Sequence, residues 1–225
     1  MTNQRIAVIG GTGRVGGLVI RAALDRGLRV AALARDPQRV PAELTRDPAV
    51  ELVAGELADL DAIGKVVESC DAVVVAVGVR YRGGNPWRGL DGPADVVPTA
   101  VGTLIAAAPA QTPIVLLSAF GAGSSWQQLP WIARAVIGTS ALKQSYAGLG
   151  HAEALLQGSG RPHTVVRAVT LKDRPSCGRS VDATGVALRG NPTVARVDVV
   201  GLLVDAALAP ITGQVLVAAE VSAGR

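Results

Sequence analysis

Apolar residues in this chain gather in short uninterrupted runs, and between the runs they recur every three or four positions. A short apolar run bounded by turn residues is the pattern of a strand buried on both faces. Recurrence at three and four is the pattern of one helix face. Strands are predicted at residues 6–9 (IAVI), 28–33 (LRVAAL), 50–54 (VELVA), 71–77 (DAVVVAV), 114–117 (IVLL), 163–167 (HTVVR) and 214–218 (QVLVA). Helices are predicted over about residues 15–23, 60–68, 94–108 and 144–157, the last closed by Gly158-Ser159-Gly160. A further helix is predicted to start at a capping Asp198 and run through Leu208. The alternation predicts an α/β fold, a doubly wound parallel sheet in a single domain over residues 1–225. Irregular stretches near 79–93, 120–143 and 171–192 are the predicted substrate loops.

The first transition carries the chemistry. The run at 6–9 is broken by Gly10-Gly11-Thr12-Gly13, and Val15, Leu18, Val19, Ala22 and Ala23 then follow at helical spacing. Strand, glycine turn and helix together open a dinucleotide-binding unit. Gly10 lets the chain turn off the strand, Gly13 keeps side chains away from a diphosphate, and Gly16 lets the helix lie close on the sheet. Free N–H groups at the helix start then face the anion, with Gly10, Thr12, Gly13, Arg14 and Val15 holding the diphosphate.

Composition narrows the partners. Of 22 basic residues only Lys65, Lys143 and Lys172 are lysines, and the arginines are scattered, which argues against a nucleic-acid surface. Cys70 and Cys177 have neither metal-site spacing nor a disulfide framework. The chain opens with MTNQR directly before a strand, without the look of a signal peptide, and no apolar stretch reaches membrane-span length free of glycine, proline or charge. A soluble cytoplasmic protein acting on a small molecule, with neither nucleic-acid nor membrane partner, is the expectation; a homodimer is allowed.

Each later strand tip adds a candidate. Arg35 is the first charged side chain past the second strand, where a guanidinium can clamp a 2′-phosphate and favours NADP(H), or can simply be a solvated loop residue. Asp36 could instead reach a ribose hydroxyl and admit NAD. Asp59 can cap the following helix or meet the adenine amino group. Gly78, at the tip of the fourth strand, lets backbone pass close to a cofactor ribose. The segment after it holds Arg80, Arg82 and Trp87, which suit a flat anionic substrate or form a plain surface loop. Ser118 can hydrogen-bond substrate or nicotinamide, or cap its strand. Trp126 and Trp131 read as a lid or a partner contact.

These segments resemble the atypical short-chain dehydrogenases/reductases, a group that includes NAD(P)H-binding, NmrA-like and flavin/biliverdin-IXβ reductase proteins. The resemblance is carried by Gly10-Gly11-Thr12-Gly13-Arg14-Val15-Gly16, Ala34-Arg35-Asp36-Pro37, Gly55-Glu56-Leu57-Ala58-Asp59, Asp71-Ala72-Val73-Val74-Val75, Ser118-Ala119-Phe120, Ala152-Glu153-Ala154-Leu155-Leu156, Thr164-Val165-Val166-Arg167 and Val197-Asp198-Val199-Val200. It covers nearly the whole chain and implies a Rossmann fold. It implies NADP(H) as cofactor with Leu57 beside Asp59, and Phe120 near the substrate. Ser118 aligns with a serine implicated in substrate handling in the flavin/biliverdin-IXβ reductases, which makes it the catalytic candidate.

The departures from that pattern shape the expected chemistry. Tyr146 is followed at +4 by Gly150 and Tyr81 by Asn85, so the Tyr-x-x-x-Lys pair of the larger group is missing. Leu149 stands where the atypical group often has lysine, and Arg167-Ala168 replaces the usual arginine-proline. No obvious general acid is left, with His151 an alternative proton donor. A conjugated acceptor such as a flavin, a quinone or a tetrapyrrole takes hydride into a delocalised system and is protonated from solvent. The expected function is therefore an NADPH-dependent reductase of such an acceptor or of a specialised metabolite. Alternatives are an NADP(H)-sensing binding protein, with Trp126 and Trp131 as its partner anchors, and an isomerase or cyclase.

Overall fold

In β1 (Arg5–Ile9), Ile6 and Val8 point to one side and Ala7 and Ile9 to the other, and all four are buried. That two-sided burial fixes the architecture, because a strand apolar on both faces needs helices on both. The structure is a computed structural model and describes residues 4–176, 181–188 and 190–220. Cys177, one of the two cysteines weighed above, lies outside the described residues.

After β1 come α1 (Arg14–Asp25), β2 (Arg29–Ala34), the single turn α2 (Ala42–Thr45), β3 (Val50–Ala54), α3 (Leu60–Val67) and β4 (Ala72–Val75). Then follow α4 (Val96–Ala107), β5 (Ile114–Ala119), α5 (Trp131–Gly138), α6 (Leu142–Ser159) and β6 (His163–Ala168). The chain ends with β7 (Thr170–Lys172), β8 (Thr193–Ala195), α7 (Arg196–Leu208) and β9 (Gln214–Ala218). The main sheet has the order β3-β2-β1-β4-β5-β6-β9, with every pairing parallel. The strand order reverses between β1 and β4, which places a crevice at the carboxyl ends of those two strands.

Two cores result. Ile6, Val8, Val19, Ile20, Val200 and Leu203 build the one under α1 and α7, and Arg26 pairs with Asp205 at 2.8 Å between those helices. Ala7, Ile9, Ile63, Val101, Leu104 and Leu156 build the other, under α3, α4 and α6. Arg161 closes the end of α4, donating to the carbonyls of Ile105, Ala108 and Pro109 at 2.7–2.8 Å. The fold is thus the single-domain Rossmann fold expected from the alternation.

Three local expectations need correction. Helix α5 arises where no helix was predicted, because its apolar face, Trp131, Ile132 and Val136, stays exposed and no buried stripe marks it. Asp198 does not cap α7: β8 leads straight into the helix through Ala195, and Asp198 sits inside the first turn with Oδ2 buried and without a hydrogen-bond partner among the described residues. The stretch read as irregular over residues 171–192 starts inside β7 and stops just short of β8, two three-residue strands that pair with each other and are too short to show alternation.

Candidate active site

The turn after β1 is built by exclusion of side chains. Gly10 has φ +98°, and a Cβ there would sit 2.8 Å from the Ala76 carbonyl oxygen of the neighbouring strand tip. A Cβ on Gly16 would lie 2.0 Å from the Gly10 carbonyl oxygen, so α1 approaches the turn as closely as backbone allows. Gly13 stands at the N-cap of α1 and offers no side-chain acceptor, and the first turn holds no acidic residue. The leading N–H groups of Arg14 and Val15 therefore lack a capping partner and point positive dipole ends into the crevice. By contrast α3 carries its own anion: Asp59 Oδ1 accepts from the N–H groups of Asp61 and Ala62, both at 3.0 Å. The crevice thus fits a dinucleotide diphosphate. Replacing Gly16 by alanine is expected to cost about 1–3 kcal/mol of stability and at least a tenfold loss in NADP+ affinity, read by thermal melting and calorimetric titration.

Beyond β2 the chain presents Arg35, exposed and without an ion-pair partner among the described residues. Asp36 is spent locally, since its Oδ1 accepts from the Gln38 N–H at 3.1 Å and caps a short 3-10 turn. That removes much of its freedom to hold a ribose hydroxyl. Asp59 is the cap of α3 and is exposed, and Leu57 is half-buried beside it.

Arg14 points its side chain to Asp173, just past β7, at 3.0 Å, and Asp173 also takes a 2.7 Å hydrogen bond from Arg196 at the start of α7. The hydrogen bond and charge of Arg196 hold the Asp173 carboxyl below its ordinary range, with Arg14 adding to the effect. A lowered folded-state value means the stabilisation is present above about pH 4 and is lost as pH falls through the lowered value. Asp173→Asn should melt below the parent protein at pH 7 and match it in strong acid, as melting curves across pH will show.

Across β5 and β6 the sheet carries a buried polar cluster. Ser118 and Arg167 are direct cross-strand partners, and both face Glu153 of α6. Ser118 donates its hydroxyl to Glu153 Oε1 at 2.6 Å, and Arg167 reaches the same carboxylate through Nε at 3.2 Å and Nη2 at 2.6 Å. Arg167 Nη2 also donates to the hydroxyl of Ser124 at 3.0 Å. All three principal groups are at most 5% exposed. Ser118 lies inside β5 rather than past its tip, and with its proton committed it can offer a ligand only a lone pair. Gly123 covers the ion pair so closely that a Cβ would meet Glu153 Oε2 at 2.6 Å. The ion pair therefore anchors the loop after β5 from below.

Above that loop lies a cavity of about 320 Å³, open to solvent, between the 3-10 segment Gly123–Gln128, α5 and α6. Trp126, Ile137, Tyr146 and Ala147 give it an apolar wall, and Lys143 stands in the same lining. The loop after β4 borders this side, because the Tyr81 and Ser145 hydroxyls meet at 2.6 Å and the Ala141 N–H donates to the Pro86 carbonyl. Burial, with the neighbouring Tyr81 next, pushes the Tyr146 phenol above its usual range.

The substrate residues expected from sequence separate here. Arg80 pairs with Asp91 at 3.8 Å, Arg82 donates to the Leu90 carbonyl at 3.1 Å, and Trp87 is exposed, so the loop's arginines largely fold back on the loop itself. Phe120 borders a second cavity of about 400 Å³ toward β9, with Arg167 and Val217, rather than the one beside α6. Gly78 is exposed, with no atom within 4 Å of a Cβ built on it. Trp126 is half-buried in the cavity wall, whereas Trp131 is 72% exposed. His151 is on the exposed side of α6, and His163, buried at the opposite end of the sheet, bonds the Arg161 carbonyl at 2.8 Å. Lys143, Tyr146, Ala147 and Gly150 went unread as a set, although their spacing puts them on one helix face.

Other chemistry has little support among the described residues. Burial pushes the Cys70 thiol up to about 11, which keeps it protonated. No group of three or more metal-ligating side chains gathers there, and no helix is long and apolar enough to cross a membrane.

Comparison with known proteins agrees with this layout. The fold is similar to ChuY, an anaerobillin reductase from Escherichia coli O157:H7, with a TM-score of 0.76 at 20% identity over 99% of this chain and 100% of that one. It is also similar to a short-chain dehydrogenase/reductase from Veillonella parvula DSM 2008 in complex with NADP, with a TM-score of 0.75 at 16% identity over 96% and 94% of the two chains. A third similar structure is the oxidoreductase YlbE from Lactococcus lactis, with a TM-score of 0.72 at 19% identity over 97% and 92%. At such identities the likeness is one of fold. The sequence itself matches the family model described as NAD(P)H-binding over residues 10–210. That match runs from the glycine turn past the end of α7, and the chain belongs to the NAD(P)H-binding family.

Proposed function

We propose that the protein is an NADPH-dependent reductase that delivers hydride to a conjugated acceptor such as a flavin, a quinone or a specialised metabolite. The observation that carries this reading is a pairing along one sheet edge: a glycine-bounded helix start with no side-chain cap, Arg35 beyond it with no ion-pair partner among the described residues, and an apolar cavity past β5. Bound NADPH supplies the hydride. Gly10, Thr12, Gly13, Arg14 and Val15 hold its diphosphate, Arg35 its 2′-phosphate, Leu57 and Asp59 its adenine side, and Gly78 and Ser118 its nicotinamide end. The apolar wall of Trp126 and Ile137 keeps water from the acceptor, and positioning supplies most of the rate. Family membership and the NADP-bound structural neighbour support the cofactor assignment.

The purified protein should oxidise NADPH with a quinone or with FMN, faster than NADH at equal concentration. Binding of NADP+ without turnover of any acceptor would favour the second reading, a sensor that docks to a partner. The exposed Trp131, Ile132 and Val136 on α5 support that alternative.

A further inference from the structure

The cavity beside α6 has one charged side chain in its lining, and that charge is unspent. Lys143 is exposed and has no hydrogen-bonded or ion-paired carboxylate among the described residues. The rest of the lining is glycine, alanine, isoleucine, tryptophan and tyrosine. The nearest buried carboxylate, Glu153 beneath Gly123, is already neutralised by two bonds from Arg167. Tyr146, held as the neutral phenol, places no negative charge against an incoming anion. A cation at the rim of an apolar, otherwise uncharged wall complements a ligand with an apolar body and one anionic group. Size narrows the body. Small-molecule pockets span roughly 300–1,000 Å³, and about 320 Å³ lies at the lower end of that range. One to three fused rings fit within such a space, whereas a tetrapyrrole exceeds it.

We propose that this cavity is the acceptor subsite and that it selects a conjugated compound of one to three fused rings bearing a carboxylate, sulfonate or phosphate, with the ring against Trp126 and Ile137 and the anion on Lys143. The inference rests on the reductase reading only for the name acceptor; the binding it describes stands apart from turnover.

The test is therefore a binding measurement. Protein saturated with NADP+ is titrated by calorimetry with naphthoquinone sulfonate and, separately, with the uncharged naphthoquinone. Wild type should bind the sulfonate more tightly. Lys143→Gln should weaken the sulfonate about tenfold, the scale of one charge-assisted contact, and leave the uncharged quinone and NADP+ within about twofold. Lys143→Arg should keep the preference for the anion. The proposal is overturned if Lys143→Gln leaves the sulfonate unchanged, weakens both quinones alike, or weakens NADP+ to the same degree. It is equally overturned if wild type binds neither quinone. A protein that binds the sulfonate through Lys143 yet never oxidises NADPH with it contradicts the reductase reading and leaves the subsite standing.

Discussion

Replacing Arg35 by alanine is expected to weaken NADPH about 30- to 100-fold and NADH by no more than about threefold. The two cofactors differ only in the 2′-phosphate, so a residue that reads that group must act on one and spare the other. A lost charge-assisted hydrogen bond to a phosphate is worth about 2–3 kcal/mol, and 1.4 kcal/mol is tenfold in affinity. The guanidinium suits the task because it is exposed, free of protein partners among the described residues, and one residue past β2. The neighbouring Asp36 is tied to the Gln38 N–H and cannot easily take over as a ribose ligand. Fluorescence titration with each cofactor measures the ratio. Equal losses for both would remove Arg35 from the phosphate site.

Replacing Glu153 by alanine is expected to cost about 3–5 kcal/mol of stability, because it strands the Arg167 guanidinium in a buried site without its counter-charge. In a domain of this size that lowers the melting temperature by about 2–4 °C per kcal/mol, so a fall of roughly 10 °C is the central expectation. The double replacement Glu153→Leu with Arg167→Met should lose much less, since removing both charges leaves no orphan. The single variant should also loosen the loop after β5, because Gly123 and Ser124 rest on the ion pair. A single variant that melts within about 2 °C of wild type would show that the pair does not anchor that loop.

The glycine turn and the parallel α/β alternation were legible because each is written in local sequence. Ile6–Ile9 is apolar without interruption, Gly10, Gly13 and Gly16 sit at fixed offsets, and the backbone contacts found at Gly10 and Gly16 are what those offsets imply. The cavity beside α6 was less legible because it is assembled from distant segments. Arg80, Arg82 and Trp87 look like ligand residues in sequence; in the structure Arg80 pairs with Asp91 and Arg82 with the Leu90 carbonyl of their own loop, both arginines staying exposed. Lys143 and Tyr146 line one cavity because α6 faces the 3-10 segment that holds Trp126, a juxtaposition no local pattern encodes. Ser118 was read as lying past the tip of its strand; it lies inside β5, and its bond to Glu153, 35 residues away in sequence, changes what it can offer.

The most direct measurement is a crystal structure of the protein grown with NADP+. The diphosphate should lie on the N–H groups of Arg14 and Val15, the 2′-phosphate against Arg35, and the nicotinamide at the carboxyl ends of β4 and β5 beside the Trp126 cavity. A dinucleotide that occupies another surface, or a crevice that stays closed at saturating NADP+, would contradict the account.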